Sequence, residues 1–217
     1  MIKKNMMGIF NDLYIYEIVL LFLGTFLFLI LSGGLVYYIL KKEEIKKLLL
    51  FFPIPILMIA YPSIKELNIS KDKIELSKYQ KQYQENPEDS IARDRIEELT
   101  EELESRATSE EDLIQISKSN ILLGKPEKAI EVADKIIDKN RKSTDATEEK
   151  SDEDPKEEGK SVVIKNTAYQ LKKIAKIQQQ TIAKKDTSGV SEKLKNLKLN
   201  PELLKISAIV KKTNKVK

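Results

Sequence analysis

Residues 97–104 read EELTEELE and place five glutamates within eight positions. Paired carboxylates can hold a divalent cation or divide the roles of acid and base. A bridged metal site in a helix bundle ordinarily adds a Glu-x-x-His partner, and the chain contains no histidine. Cysteine is absent as well. Ser-His-Asp and Cys-His catalysis, imidazole or thiolate metal ligation and disulfides are therefore excluded. What remains is carboxylate, lysine, tyrosine and hydroxyl chemistry. The same spacing also suits a solvated helix face, because Asp89 with Arg93 and Glu102 with Arg106 stand at i, i+4 in the favoured direction. A charged outer face is the expectation, with no catalytic residue, no metal and no cofactor: not an enzyme.

The elements that would carry this face begin with a membrane anchor. Residues 18–40 form a run of 23 without a charge. At roughly 1.5 Å per residue such a helix crosses a hydrocarbon core of about 30 Å. Phe10, Tyr14 and Tyr16 before it, and Tyr37 and Tyr38 after it, make an interfacial aromatic belt. Asp12 and Glu17 stand where a signal peptide carries basic residues, so no cleavable signal is expected. Gly24, Thr25, Ser32, Gly33 and Gly34 would admit a close neighbouring helix, or are simply glycines and hydroxyls of a membrane helix. A second uncharged run, residues 48–64, contains Pro53, Pro55 and Pro62. It reads as a second span kinked at Pro53 and Pro55, with a re-entrant or interfacial segment as the alternative.

Lysine placement sets sidedness. With two spans, Lys3, Lys4, Lys65, Lys71, Lys73, Lys78 and Lys81 share one side, against four lysines in the loop KKEEIKK. The expectation is a multi-pass protein of the inner (cytoplasmic) membrane with both termini cytoplasmic. The loop lysines count against it.

Beyond residue 64 the chain reads as helices with short breaks. Asn86 is the expected cap of one helix, with Pro87 in its first turn; Ala92, Ile96, Leu99 and Leu103 make its apolar stripe. Residues 108–111, TSEE, read as a capping box for the next helix. Gly124 ends that helix, and Pro126 opens another that closes near Asn140.

The stretch EEDLIQISKSNILLGKPEKAIEVADKIIDKN, residues 110–140, resembles a single tetratricopeptide repeat. Units of that family are helix–turn–helix hairpins of about 34 residues. Leu113, Ile116 and Ser117 match early first-helix positions, Gly124 the turn, and Ala129, Ala133 and Ile136 the second helix. Asn120 replaces the usual aromatic, Ala133 is small, and Arg141 replaces the closing proline. Stepping back 34 residues does not reproduce the pattern, so one repeat with flanking helices is expected. The resemblance implies protein binding through the groove face of the first helix, where Glu111, Ile114, Lys118 and Ile121 would lie. The alternative is that Ile114 and Ile121 pack against the preceding helix.

Charge is segregated: residues 65–140 carry a net −6, residues 141–160 −3, and residues 161–217 +11. Residues 141–160 have no aliphatic group larger than alanine and read as a disordered acidic linker. In the basic tail, Ile164, Ala168, Leu171, Ala175 and Ile182 define an amphipathic helix, and Asn200-Pro201 caps a last one. The tail suits an anionic lipid surface, or an acidic protein, including the chain's own acidic helices. The tail does not suit nucleic acid, because arginine is absent from 161–217 and Tyr169 alone is available for stacking.

The sequence therefore predicts an all-α chain in four parts: an anchor over 1–64 with two spans (about 14–40 and 47–64), a tetratricopeptide-like module over 65–140, a linker over 141–160, and a flexible basic helical tail over 161–217. The expected function is that of a membrane-anchored adaptor or complex subunit that binds lipid and a protein partner or a further copy of itself. The alternative is an oligomeric channel or membrane-perturbing effector with a helical assembly domain.

Overall fold

The structure is a computed structural model that describes residues 13–42, 45–147, 155–184 and 189–213. Among these residues every element is a helix: α1 (Ile15–Lys41), α2 (Lys46–Leu49), α3 (Pro53–Glu85), α4 (Ser90–Glu104), α5 (Glu110–Leu122), α6 (Pro126–Thr147), α7 (Pro155–Lys184), α8 (Val190–Lys195) and α9 (Pro201–Thr213). The chain divides into two compact units, Met1–Asp72 and Lys73–Lys217, and α3 carries residues of both.

In the first unit α1 is the one described helix long and apolar enough to cross a membrane. Its best 18-residue stretch has a mean hydropathy of 2.5, and only 6% of that stretch is buried. Phe22, Phe26, Leu29 and Ile30 all face outward. The start of α1 is closed by Glu17, whose Oε2 accepts the Tyr14 amide at 2.9 Å. The first turns of α3 pack beside α1 through Gly24. A Cβ there would stand 2.9 Å from Met58 Cβ, 3.0 Å from Ile59 Cγ1 and 3.2 Å from the Pro55 carbonyl oxygen. Glycine at this position is thus a requirement of the close approach. Phe28 and Phe52 add an edge-to-face pair at 5.8 Å. The Thr25 and Ser63 hydroxyls donate to the carbonyls four residues back, Leu21 and Ile59, so neither needs water.

Pro53 and Pro55 do not kink a helix, contrary to the sequence reading. The chain turns at residues 50–52, with Phe51 N–H bonded to Leu48 O and Phe52 N–H to Leu49 O. α3 then begins on Pro53. A missing N–H costs nothing in a first turn, whose amides have no intrahelical acceptor. Pro62 is the proline inside the helix.

In the second unit consecutive helices stack in order. Residues 73–85 of α3 and helix α4 are tied by Arg95 to Glu75 (3.0 Å) and by Gln82 to Asp89 (2.8 Å). Gln80 then reaches α5, donating to the Gln115 carbonyl and the Ser119 hydroxyl. α4 packs on α5, α5 on α6, and α6 on α7, while α7 also touches α5. The stripe predicted for α4 is buried: Ala92, Ile96, Leu99 and Leu103 are each 3% exposed or less. The cap differs from expectation. Asp89, not Asn86, caps α4, its Oδ1 accepting the Ala92 amide at 2.9 Å. Asn86 instead shapes the preceding turn, accepting the Glu88 amide. At α5 the cap is Ser109, bonded to the Asp112 amide, one position beyond the predicted box.

The linker and tail also differ. α6 continues to Thr147 and α7 begins at Pro155, so the linker expected over 141–160 is helical wherever it is described; residues 148–154 lie outside the described residues. The tail is not separate. Ala168, Leu171, Ile174 and Ala175 of α7 are fully buried, as are Leu203 and Ile206 of α9. Their apolar faces close the core against α5 and α6. Ile182 of the predicted stripe stays exposed at the end of α7. Lys3, Lys4 and the middle of the KKEEIKK loop lie outside the described residues.

Candidate functional site

The hairpin of α5 and α6 closes at Gly124, whose φ of +73° is left-handed. Lys125 N–H bonds to the Asn120 carbonyl at 2.8 Å there, capping the open end of α5. Small residues bring the two helices together. Ala129 and Ala133 are wholly buried, and the Ser117 hydroxyl donates to the Ala129 carbonyl at 3.1 Å. Asn140 at the far end reaches Glu110 at 2.8 Å, and Lys139 donates to the Thr108 carbonyl.

The four residues assigned to a binding face fall on α5, and the structure separates them. Glu111 is exposed. Ile114, Lys118 and Ile121 are buried, at 8%, 3% and 1% exposure. At Lys118 and Ile121 the expected face meets the chain's own C-terminal helices. α9 lies on α5 and on α7. Lys118 Nζ meets Glu202 Oε1, from the first turn of α9, at 2.6 Å. Gln178 of α7 donates to the Ile121 carbonyl at 3.1 Å. Ile114 and Ile121 are both buried on a helix that packs against α4 as well as α7 and α9; the return of α7 and α9 to this helix is not written in the 110–140 stretch.

The glutamates of α4 spread over a face laced to lysines. Glu97 accepts from Lys125 at 2.7 Å, and Glu101 lies 3.6 Å from the same ammonium. Glu104 pairs with Lys128, and Glu98 with Arg95. The hydrogen bond from Lys125, reinforced by its charge, holds the Glu97 carboxyl below the ordinary carboxylate value. The same bond raises Lys125. Asp89 is likewise lowered, by the Ala92 amide and then by Gln82; its cap role displaces the predicted pairing with Arg93. Among the described residues no group of three or more acidic side chains is arranged to hold a metal ion.

Sequence reasoning missed the residues that join α7 and α9 to the module: Gln170, Gln178 and Glu202. Gln170 grips the approach to α9 with both ends, donating to the Lys198 carbonyl and accepting the Asn200 amide. Lys172 pairs with Asp134 of α6. The acidic–basic segregation was the available signal, since it suits a tail that folds back. No family model, no curated protein and no solved structure matches this chain.

Proposed function

We propose that the chain is a two-span membrane anchor that displays a tetratricopeptide-like helical module on the cytoplasmic side, as a non-enzymatic adaptor or complex subunit. The observation that carries this reading is the Gly24 crossing. It pairs α1 with the second apolar run, and the outward residues of both, Phe22 and Phe26 on one and Ile54, Ile56 and Leu57 on the other, are apolar and exposed. Such a surface needs lipid around it. The lysine excess of residues 3, 4 and 65–81 over the 41–47 loop supports cytoplasmic termini. For the module, the left-handed Gly124 turn and the buried Ala129 and Ala133 support the repeat resemblance.

The tail adds a lipid contact to this reading. Lys165, Lys173 and Lys176 share the outward side of α7 with Tyr169, opposite the buried Ile164, Ala168, Leu171 and Ala175. None of these three makes an ion pair among the described residues. They suit anionic headgroups. The channel alternative has two grounds, the glycines of the first run and a kink at Pro53 and Pro55; the glycines remain, while α3 begins on Pro53.

Single cysteines at positions 5, 44 and 145 test the arrangement, since no native thiol interferes. Positions 5 and 145 should react with an impermeant maleimide only after the cells are opened, and position 44 from outside. Labelling of 44 and 145 from the same side would refute the two-span anchor.

A further inference from the structure

We infer that the face formed by α5 and α7 beneath α9 is a receptor for an amphipathic helix that opens on a carboxylate, and that α9 is its resident occupant. The inference rests on the adaptor reading and gives its partner a chemistry. α9 presents a single stripe to the receptor: Leu203, Ile206, Ile209 and Val210 are buried, at 4% exposure or less, while Leu204 and Lys205 face out. The spacing i, i+3, i+6, i+7 is that of a helix lying in a groove. The charge is divided unequally. The Lys118 side chain is 4% exposed and that of Glu202 is 57% exposed. The cation therefore belongs to the floor of the groove and the anion to the visitor. When α9 leaves, both ends of the pair return to water; any helix that takes its place covers the Lys118 ammonium again, and does so without compensation unless it brings a partner. A replacement helix gains most if it brings a carboxylate to the same spot, one residue before its first apolar anchor. The docking partner is thus an acidic-capped amphipathic helix from another protein, in the pattern acid–apolar–x–x–apolar–x–x–apolar–apolar. A basic or neutral helix of equal hydrophobicity is rejected by the unpaired ammonium.

The test uses the full-length chain in detergent micelles and a fluorescent synthetic peptide of residues 199–213. Glu202→Lys places two cations together and should release α9. The variant should then bind the peptide saturably, at least about tenfold more tightly than the wild-type chain, whose groove is filled. Adding Lys118→Glu should restore the pair in reverse and return binding to the wild-type level. A Glu202→Lys chain that binds no better than wild type overturns the inference, and so does a double variant that stays open. Hydrogen exchange on the wild-type chain gives a readout that survives misfolding of either variant. Amides of α9 should exchange at least about tenfold faster than those of α5, through an opening that leaves α5 and α6 intact. Exchange of α9 only together with α5 makes it ordinary core and refutes the proposal. Failure of the cysteine mapping would remove the anchor reading and leave both of these results standing.

Discussion

The hairpin of α1 with the first turns of α3, and the stack from α4 to α9, are built from the same helices under opposite patterning. In the stack the apolar residues point inward: Ile96, Leu99, Ile116, Ile136, Leu171 and Ile174 are all 2% exposed or less. Its outer surface is charged and laced by pairs such as Glu97 with Lys125. In the hairpin the large apolar residues point outward, and α1 meets α3 at a glycine that leaves no room for a Cβ. Water drives apolar side chains to the inside of a stack. On the two-span anchor proposed above, the hairpin is surrounded by lipid, which gives apolar side chains no reason to leave the surface, and association there then depends on how closely two backbones can approach.

This contrast is broken most severely by removing mass from the stack. Leu171 is 0% exposed on a helix that the charge pattern alone would assign to a detachable tail. Leu171→Ala should destabilise the module by about 2–5 kcal/mol, the range for a buried leucine that leaves a cavity. Urea unfolding followed by circular dichroism measures it. A change under about 0.5 kcal/mol would mean that α7 is not part of the core. The hairpin should respond to the opposite manipulation. Gly24→Leu adds a side chain where even a Cβ meets Met58 and the Pro55 carbonyl. Overpacking of this kind costs about 1–3 kcal/mol. Cross-linking between cysteines at positions 28 and 52, whose rings meet in the wild type, should fall sharply in the variant. The same glycine-to-leucine change at Gly33, where nothing lies within 4 Å of the added Cβ, should leave cross-linking intact.

Much of this was legible in the residues. The apolar run of α1, the stripe of α4, the Gly124 turn, Pro126 at the start of α6 and the Asn200 cap of α9 all follow from local rules: period, capping and left-handed turns. What was not legible was non-local. The short apolar side chains of α7, alternating with lysines, look the same whether they meet lipid, a partner or the chain's own α5. Only the fold shows that Gln178 reaches Ile121 and Glu202 reaches Lys118. For the same reason Glu111, Ile114, Lys118 and Ile121 were recognised as one face of one helix, and α9, which meets that helix at Lys118, was not. Pro53 and Pro55 failed differently. A proline pair marks a helix boundary as readily as a kink, and the choice depends on whether the residues before it are helical.

The smallest effect sharpens the comparison from the electrostatic side, since the pair linking α4 to the start of α6 has no counterpart along the uncharged residues 18–40 of α1. Glu97 is held below its ordinary value of 4.5 by the Lys125 hydrogen bond, and Lys125 above its ordinary 10.5 by the same bond. A lowered carboxyl stabilises the fold above its unfolded value, and that stabilisation is lost as pH falls through the folded one. A raised ammonium stabilises below its unfolded value, and this is lost as pH rises through the folded one. The pair therefore contributes fully across the neutral range and fades at both ends. Its side chains are 41% and 31% exposed, so solvent screening limits the contribution to about 0.2–1 kcal/mol. Glu97→Gln should lower stability by that amount at pH 7 and by nothing well below pH 4. The difference should shrink in 1 M salt, where charges are screened within about 3 Å. Urea midpoints of the wild-type and variant modules that stay equally far apart from pH 3 to pH 7 would assign the loss to packing and remove the electrostatic tie between α4 and α6.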